Sequence, residues 1–172
     1  MGQNNSYVVV ELETSGKNKH IDCIVAIDAV KIENGVIGDR FFSYAQSMPG
    51  SRAPLGQMGI SADELKSAPT IVEVLKRFEA FIRGCALVVN DFLFDFEFLH
   101  NQGFWCGVDF YPYAKDAVDL SALSKSVLEG LDDYSVKALA ERLGIMFAPR
   151  HTVDALAAAK VFLRVAAAAR LI

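Results

Sequence analysis

The chain reads as one α/β domain in which a mixed sheet carries helices on its faces. Three observations predict this. The sequence opens with a valine-rich strand signal, YVVVEL; an Asn34-Gly35 turn joins two further strand signals; and from residue 70 onward helix patterns alternate with short apolar runs. Taken in order, residues 7–12 form a buried strand because β-branched side chains fill it. Residues 24–32 form a second strand. Asn34-Gly35 favours a tight hairpin, since both residues tolerate positive φ, and residues 36–45 return as a third strand. The sheet therefore begins as three antiparallel strands.

The stretch MPGSRAPLGQMG is rich in proline and glycine and reads as loop. Ser61 or Asp63 caps a short helix around ADELK. Residues 70–83 give the clearest helix: Ile71, Val74, Leu75, Phe78, Phe81 and Ile82 make one apolar stripe at helical spacing, and Gly84 ends it. A buried strand at 85–89 follows, then a helix at 94–102 with Gly103 as its stop. A strand is expected at 115–118, then helices at 120–128 and 136–143, the latter capped by Ser135. The last helix starts near Val153 and runs into the alanine-rich end. In the Phe-rich 92–104 segment and Trp105, packing into helix and loop core is the expectation, with an exposed contact surface as the alternative.

Composition narrows the function. The 172 residues suit one domain with one core, and 52% hydrophobic against 22% charged residues argues against disorder. No apolar run is long enough to span a bilayer, which takes about 20 residues. Cys23, Cys85 and Cys106 are far apart with no C-x-x-C pair, so a cysteine-rich zinc site and a disulfide framework are both excluded. A reducing, cytoplasmic setting is the expectation. The net charge is −4, with no basic tail or Lys/Arg cluster. Contact with nucleic acid should then be short and local.

The acids carry the chemistry. Glu11 and Glu13 end the first strand and, being two apart, point to one face. Two carboxylates on one face either hold a cation or lie solvated at an exposed strand end; these two residues alone leave both readings open. Asp95 stands among Phe92, Phe94, Phe96 and Phe98, where an unpartnered charge is costly, although a helix N-terminus would also favour it. Asp154 follows His151 by three residues at the start of the last helix. Asp28 and Asp91 are further acids near the same strand ends. Acids delivered from separate strand ends are what two-metal phosphodiester cleavage requires.

At this point the residues match a family. YVVVELETSG resembles the D-x-E-T-T-G first motif of the DEDDh class of 3′–5′ exonucleases, the group of the bacterial replicative proofreading epsilon subunit. MGISADELKSAPTIVEVLKRFEAFI resembles the T-G-I segment and its helix. ALVVNDFLFDFEFL resembles the second motif, and His151 with Asp154 stand where the third belongs. The similarity runs from Tyr7 to about Arg164. It implies a ribonuclease H-like mixed five-stranded sheet. It also implies two divalent ions, Mg²⁺ or Mn²⁺, held by Glu11, Glu13, Asp95 and Asp154, with His151 as general base. Thr14, Ser15 and Asn90 would meet the terminal nucleotide. The implied substrate is the 3′ end of single-stranded DNA or RNA, and the implied protein partner is a polymerase or another protein.

The motifs also depart from the family pattern. Glu11 replaces the usual bridging Asp, adding about 1.5 Å of reach. Asn90-Asp91 replaces His-Asn, and Met58 replaces the Thr of T-G-I. Only Thr152 and Val153 separate His151 from Asp154, where the family has four residues. A catalytically weak or inactive relative, acting as a nucleic-acid-binding or protein-interaction domain, is therefore the alternative reading.

Overall fold

The computed structural model describes residues 6–46, 60–149 and 153–172. The Pro/Gly-rich stretch with Met58 and the expected base His151 lie outside the described residues. A five-stranded sheet has the order β3-β2-β1-β4-β5. Strand β1 (Ser6–Thr14) pairs antiparallel with β2 (Ile24–Glu33), which pairs antiparallel with β3 (Val36–Tyr44). On its other edge β1 runs parallel to β4 (Ala86–Val89), and β4 parallel to β5 (Val118–Asp119). The β2–β3 hairpin turns through Asn34 and Gly35 at φ 51° and 76°, the left-handed pair that a two-residue turn needs.

Alternation along β1 divides the core into two layers. Val8 and Val10 pack under helix α2 (Ile71–Ile82), against Val74, Leu75 and Phe78. Tyr7 and Val9 face the other way, toward Phe162 of α6 (Ala155–Ala168), with Leu139 of α5 (Val136–Leu143) and Leu120 of α4 (Leu120–Val127). Glu11 and Glu13 continue the phase of Tyr7 and Val9, so their side chains emerge on the α6 face of the sheet. The buried alanines of α6, among them Ala155, Ala158, Ala159 and Ala166, let that helix lie close to β1 and β2. Small side chains here serve proximity as well as helix propensity.

Two capping residues stand where the sequence places them: Ser61 closes a capping box on α1 (Ala62–Lys66), and Ser135 caps α5. Thr70, at the start of the expected 70–83 helix, closes another capping box on α2. Three expectations need correction. Gly103 does not end its helix: α3 (Glu97–Cys106) runs through it and stops at Gly107, whose φ is 70°. Gly103 is instead a contact point, because a Cβ there would lie 2.5 Å from the Val108 carbonyl oxygen and from a carbon of the Phe110 ring. The strand expected at 115–118 shrinks to β5, because Tyr111–Asp116, with a proline in its first turn, winds as a 3₁₀ turn. The Phe-rich segment is core only in part. Phe96 and Phe98 are buried, whereas Phe104 and Trp105 are 73% and 66% exposed at the end of α3, off its sheet-facing side. Among the described residues no helix is long and apolar enough to cross a membrane.

Candidate active site

The site assembles at one end of β1 from four chain segments. Glu11 lies opposite Asp28 in the β1–β2 register, so their side chains share a face. Glu13 is 7% exposed, and Glu11 is partly buried. The solvated-strand-end reading of this pair therefore does not describe the molecule. Asp28 sits between apolar neighbours in β2 and is 2% exposed; its Oδ2 accepts from the Ala155 N–H at 3.0 Å, and its Oδ1 meets Arg40 at 3.5 Å.

Asp154 is the N-cap of α6. Its Oδ1 accepts from the Ala157 N–H at 2.9 Å and its Oδ2 from the Ala148 N–H at 2.7 Å. The Asp154 N–H in turn donates to the Glu11 carboxylate. The start of α6 is thus gripped twice from the sheet, by Glu11 and by Asp28. Both carboxylates take N–H groups that a helix start leaves without internal partners.

Asp95 arrives on a π-type turn (Phe92–Phe96) between β4 and α3. Asp91 caps this turn through the Phe94 N–H at 3.2 Å. The stacked rings of Phe92 and Phe96, 4.6 Å apart, brace it. Such wide turns occur often where a helix must present a side chain out of normal phase. The Asp95 Oδ2 accepts from the Asp91 N–H at 3.0 Å. From β5, Asp119 ties the turn down by accepting from the Phe92 N–H at 3.1 Å.

Electrostatics mark these acids as mutually repelling. Burial first, then the charges of Asp95, Asp28 and Asp154, push the Glu11 carboxyl well above the usual range, against the opposing Asp154 N–H. Burial also raises Asp28, against Ala155 and Arg40. Asp95 is pushed up to about 6, with burial the leading cause. A cleft of about 390 Å³ opens over this ground, lined by Glu11, Leu12, Lys17, Asn90, Asp91, Phe94 and Asp95. The Asn90 Oδ1 is buried at its edge without a hydrogen-bond partner among the described residues.

These donors fit a hard divalent cation. They are carboxylate and amide oxygens, the ligands Mg²⁺ and Mn²⁺ prefer, and a cation would relieve both the raised acids and the orphaned Asn90 oxygen. Among the described residues no three His, Cys, Asp or Glu side chains stand close enough to cage a metal by themselves. Mg²⁺ commonly takes only one or two carboxylates and fills its shell with water and phosphate oxygens.

Of the nucleotide contacts expected from sequence, Asn90 lines the cleft. Ser15 does not present itself there. It is 5% exposed, and its hydroxyl accepts from the Cys23 N–H at 2.9 Å while facing Asp22. The Thr14 hydroxyl donates to the Gly16 carbonyl at 2.7 Å. Both serve the loop after β1. Sequence reading gave too little weight to Asp28, although one acid within IVAIDAVKI already signals a buried, partnered charge.

The comparisons with known proteins agree with this architecture. The exonuclease family model, RNase_T, matches residues 8–162. A DNA polymerase III subunit epsilon-like protein of Rhodobacter capsulatus is 37% identical over 169 residues, covering 92% of this chain and 23% of that protein. A PolC-type DNA polymerase III of Thermotoga petrophila is 34% identical over 170 residues, covering 94% of this chain and 12% of that protein. The chain thus spans only a small part of these relatives' length. Among solved structures, the nuclease domain of 3′hExo, a DEDDh family member bound to rAMP, superposes with a TM-score of 0.76 at 18% identity, covering 97% of this chain and 92% of that one. Escherichia coli exonuclease I with a dA16 oligonucleotide gives 0.74 at 16% identity, covering 94% and 40%. With its mixed sheet, its acids at the end of β1 and the family match along nearly its whole length, this chain belongs to the RNase_T exonuclease family.

Proposed function

We propose that the chain removes nucleotides from the 3′ end of single-stranded nucleic acid by divalent-metal-dependent hydrolysis. The observation that carries this reading is the raised Glu11 carboxyl, pushed up by burial and by the charges of Asp95, Asp28 and Asp154 from three other segments, with Glu11 and Asp95 lining one cleft. Glu11, Glu13, Asp95 and Asp154 would hold the cations, Mg²⁺ or Mn²⁺. A bound divalent ion there supplies an activated water and offsets charge on the phosphate. The protein's own groups do the rest. Glu11 and Asp28 fix the start of α6 and with it Asp154. The π-type turn aims Asp95, and Asn90 offers an oxygen at the cleft edge. His151 would take the proton of the attacking water.

The test is release of mononucleotides from a 3′-terminal single strand in Mn²⁺, by the parent and by Asp95→Asn and Asp154→Asn. The reading requires release by the parent and a loss of about a hundredfold or more in each variant, as for groups acting within one catalytic unit. A parent that releases nothing would defeat it.

One observation favours a second reading, a relative that binds strands without cutting them. Both carboxylate oxygens of Asp154 are already engaged by backbone N–H groups. An inactive parent that binds single strands in this cleft would support that alternative. The names of the relatives, PolC-type and epsilon-like, also support a polymerase as protein partner. Co-purification with a polymerase subunit from the same source is the check.

A further inference from the structure

The fold leaves an aromatic surface at the end of α3 that the acid cleft does not use. Phe104 and Trp105 stand exposed there, their rings edge to face at 5.9 Å. Tyr111, from the 3₁₀ turn, is 70% exposed, and its ring lies 5.9 Å from that of His100. Between them opens a cavity of about 310 Å³, lined by His100, Phe104, Gly107, Val108 and Asp109. Phe104 and His100 are thus both cavity walls and neighbours of the two outermost rings, so the patch and the hollow form one continuous face.

This face is built and held. The Gly107 N–H donates to the Phe104 carbonyl at 3.3 Å and the Val108 N–H to the Gly103 carbonyl at 2.8 Å, which closes the end of α3. Gly107, at φ 70°, turns the chain back, and a Cβ on it would meet nothing within 4 Å, so the hollow stays open on that side. Gly103 lets Phe110 pack against the helix, and this holds Val108 and Asp109 beside it. The Asp109 Oδ1 accepts from the Tyr111 N–H at 2.9 Å, which leaves its other oxygen open to a further donor.

We propose that this face pairs with the same face of a second copy of the chain. About a two-fold axis, Trp105 of each copy enters the cavity of the other, and its indole N–H meets the open Asp109 oxygen there. A two-fold interface must be self-complementary, and here one face carries both a projecting ring and a hollow that a ring can fill. Buried tryptophan needs an acceptor for its N–H, and Asp109 offers one. Area sets the strength. Phe104, Trp105 and Tyr111, each about 70% exposed, give roughly 300–500 Å² per copy, against about 800 Å² per partner in a standard interface. The cavity walls supply part of the rest, so the pairing is a reversible dimer. A single strand fits this face less well, since the charged lining residue is Asp109 and a carboxylate repels phosphate. The face lies at the far end of α3 from the Asp95 turn, about 15 Å along the helix. No residue lines both hollows, so both acid clefts stay open in the pair.

Trp105 is the single tryptophan of the chain, so its fluorescence reports this contact alone. The experiment follows the full chain by sedimentation equilibrium and by front-face tryptophan emission from about 1 to 300 µM, in about 0.3 M salt to screen the net charge of −4. Mass should rise toward twice that of the monomer, and emission should shift to the blue over the same range as the indole leaves water. Trp105→Ala should weaken self-association about a hundredfold or more, because two anchors are lost at once. Trp105→Phe, which keeps a ring, should lose about tenfold. Asp109→Arg lays a long side chain across the cavity mouth and should act like Trp105→Ala. Both side chains are exposed, so the fold survives their replacement, and the emission of the parent tests the contact without any variant. A parent that stays monomeric at the highest concentration overturns the proposal. So does a dimer whose emission does not move with its mass, since it pairs through another face, and so does an Asp109→Arg protein that pairs like the parent. Quenching of the tryptophan by dT4 in a monomeric chain would assign the face to a strand instead. None of these readouts involves catalysis, so the dimer and the hydrolytic reading fail separately.

Discussion

Glu11 and Asp28 face each other across β1 and β2 and reach for adjacent N–H groups of one helix start, Asp154 for Glu11 and Ala155 for Asp28. Two acids that repel are held side by side because each has a backbone donor to satisfy. Asp28→Ala should cost about 1–3 kcal/mol, since the Ala155 N–H is left buried without an acceptor. Asp28→Asn keeps the acceptor and removes a repelling charge, so it should stay within about 1 kcal/mol of the parent. Urea denaturation reads both. An equal loss in the two variants would show that the ion pair with Arg40, and not the helix contact, is what matters.

Asp95 gives a pH dependence with a definite sign. Its folded pKa of about 6 lies above its unfolded value, so the folded chain holds the proton more tightly. The resulting stability is complete below about pH 4 and is lost as pH rises through 6; close to 1.4 kcal/mol of it falls between pH 5 and 7.5. In the divalent-free chain, Tm should drop by roughly 3–5 °C more over that interval in the parent than in Asp95→Asn. Thermal melts at the two pH values decide it, and parallel melts for both proteins would refute it. Addition of Mn²⁺ at pH 7.5 should recover Tm in the parent and much less in Asp95→Asn.

Gly103 is constrained by packing and not by its φ. Gly103→Ala should destabilise by about 1–2 kcal/mol, because the added methyl meets Val108 and Phe110 at 2.5 Å and the gain in helix propensity, about 1 kcal/mol, offsets only part of that. Chemical denaturation measures this. A variant as stable as the parent would mean that the 3₁₀ turn yields freely.

The departures from the family motifs touch one catalytic unit, so repairing them should be non-additive. Glu11→Asp withdraws the carboxylate from the Asp154 N–H by about 1.5 Å and restores the shorter ligand. Alone it should change mononucleotide release in Mn²⁺ little. Two residues inserted between His151 and Asp154 lengthen the approach of the histidine by up to roughly 7 Å. The double change is expected to exceed the product of the single ones. A parent already turning over rapidly would show that neither departure matters. Four inactive proteins that still bind a strand would favour the non-catalytic reading.

Much of the fold is local and was legible for that reason. Asn34-Gly35 specifies its turn through φ, Ser61 and Ser135 specify helix starts through N–H groups they satisfy, and the stripe from Ile71 to Ile82 specifies a buried face. Glu11 and Glu13 fall on one face by the alternation of a strand alone. Other features depend on residues far apart in the chain. Gly103 reads as a helix stop until Phe110 is seen packed against it. Phe104 and Trp105 read as core until the direction of α3 leaves them outside. Asp28 is a charge flanked by apolar residues until α6 arrives, 127 positions later, with the Ala155 N–H. Backbone preference and periodicity act within a few residues, so the sequence alone determined the elements and their faces. Desolvation and charge repulsion depend on what lies within a few ångströms in space, so only the tertiary structure decided which acids share a cleft and what each one holds.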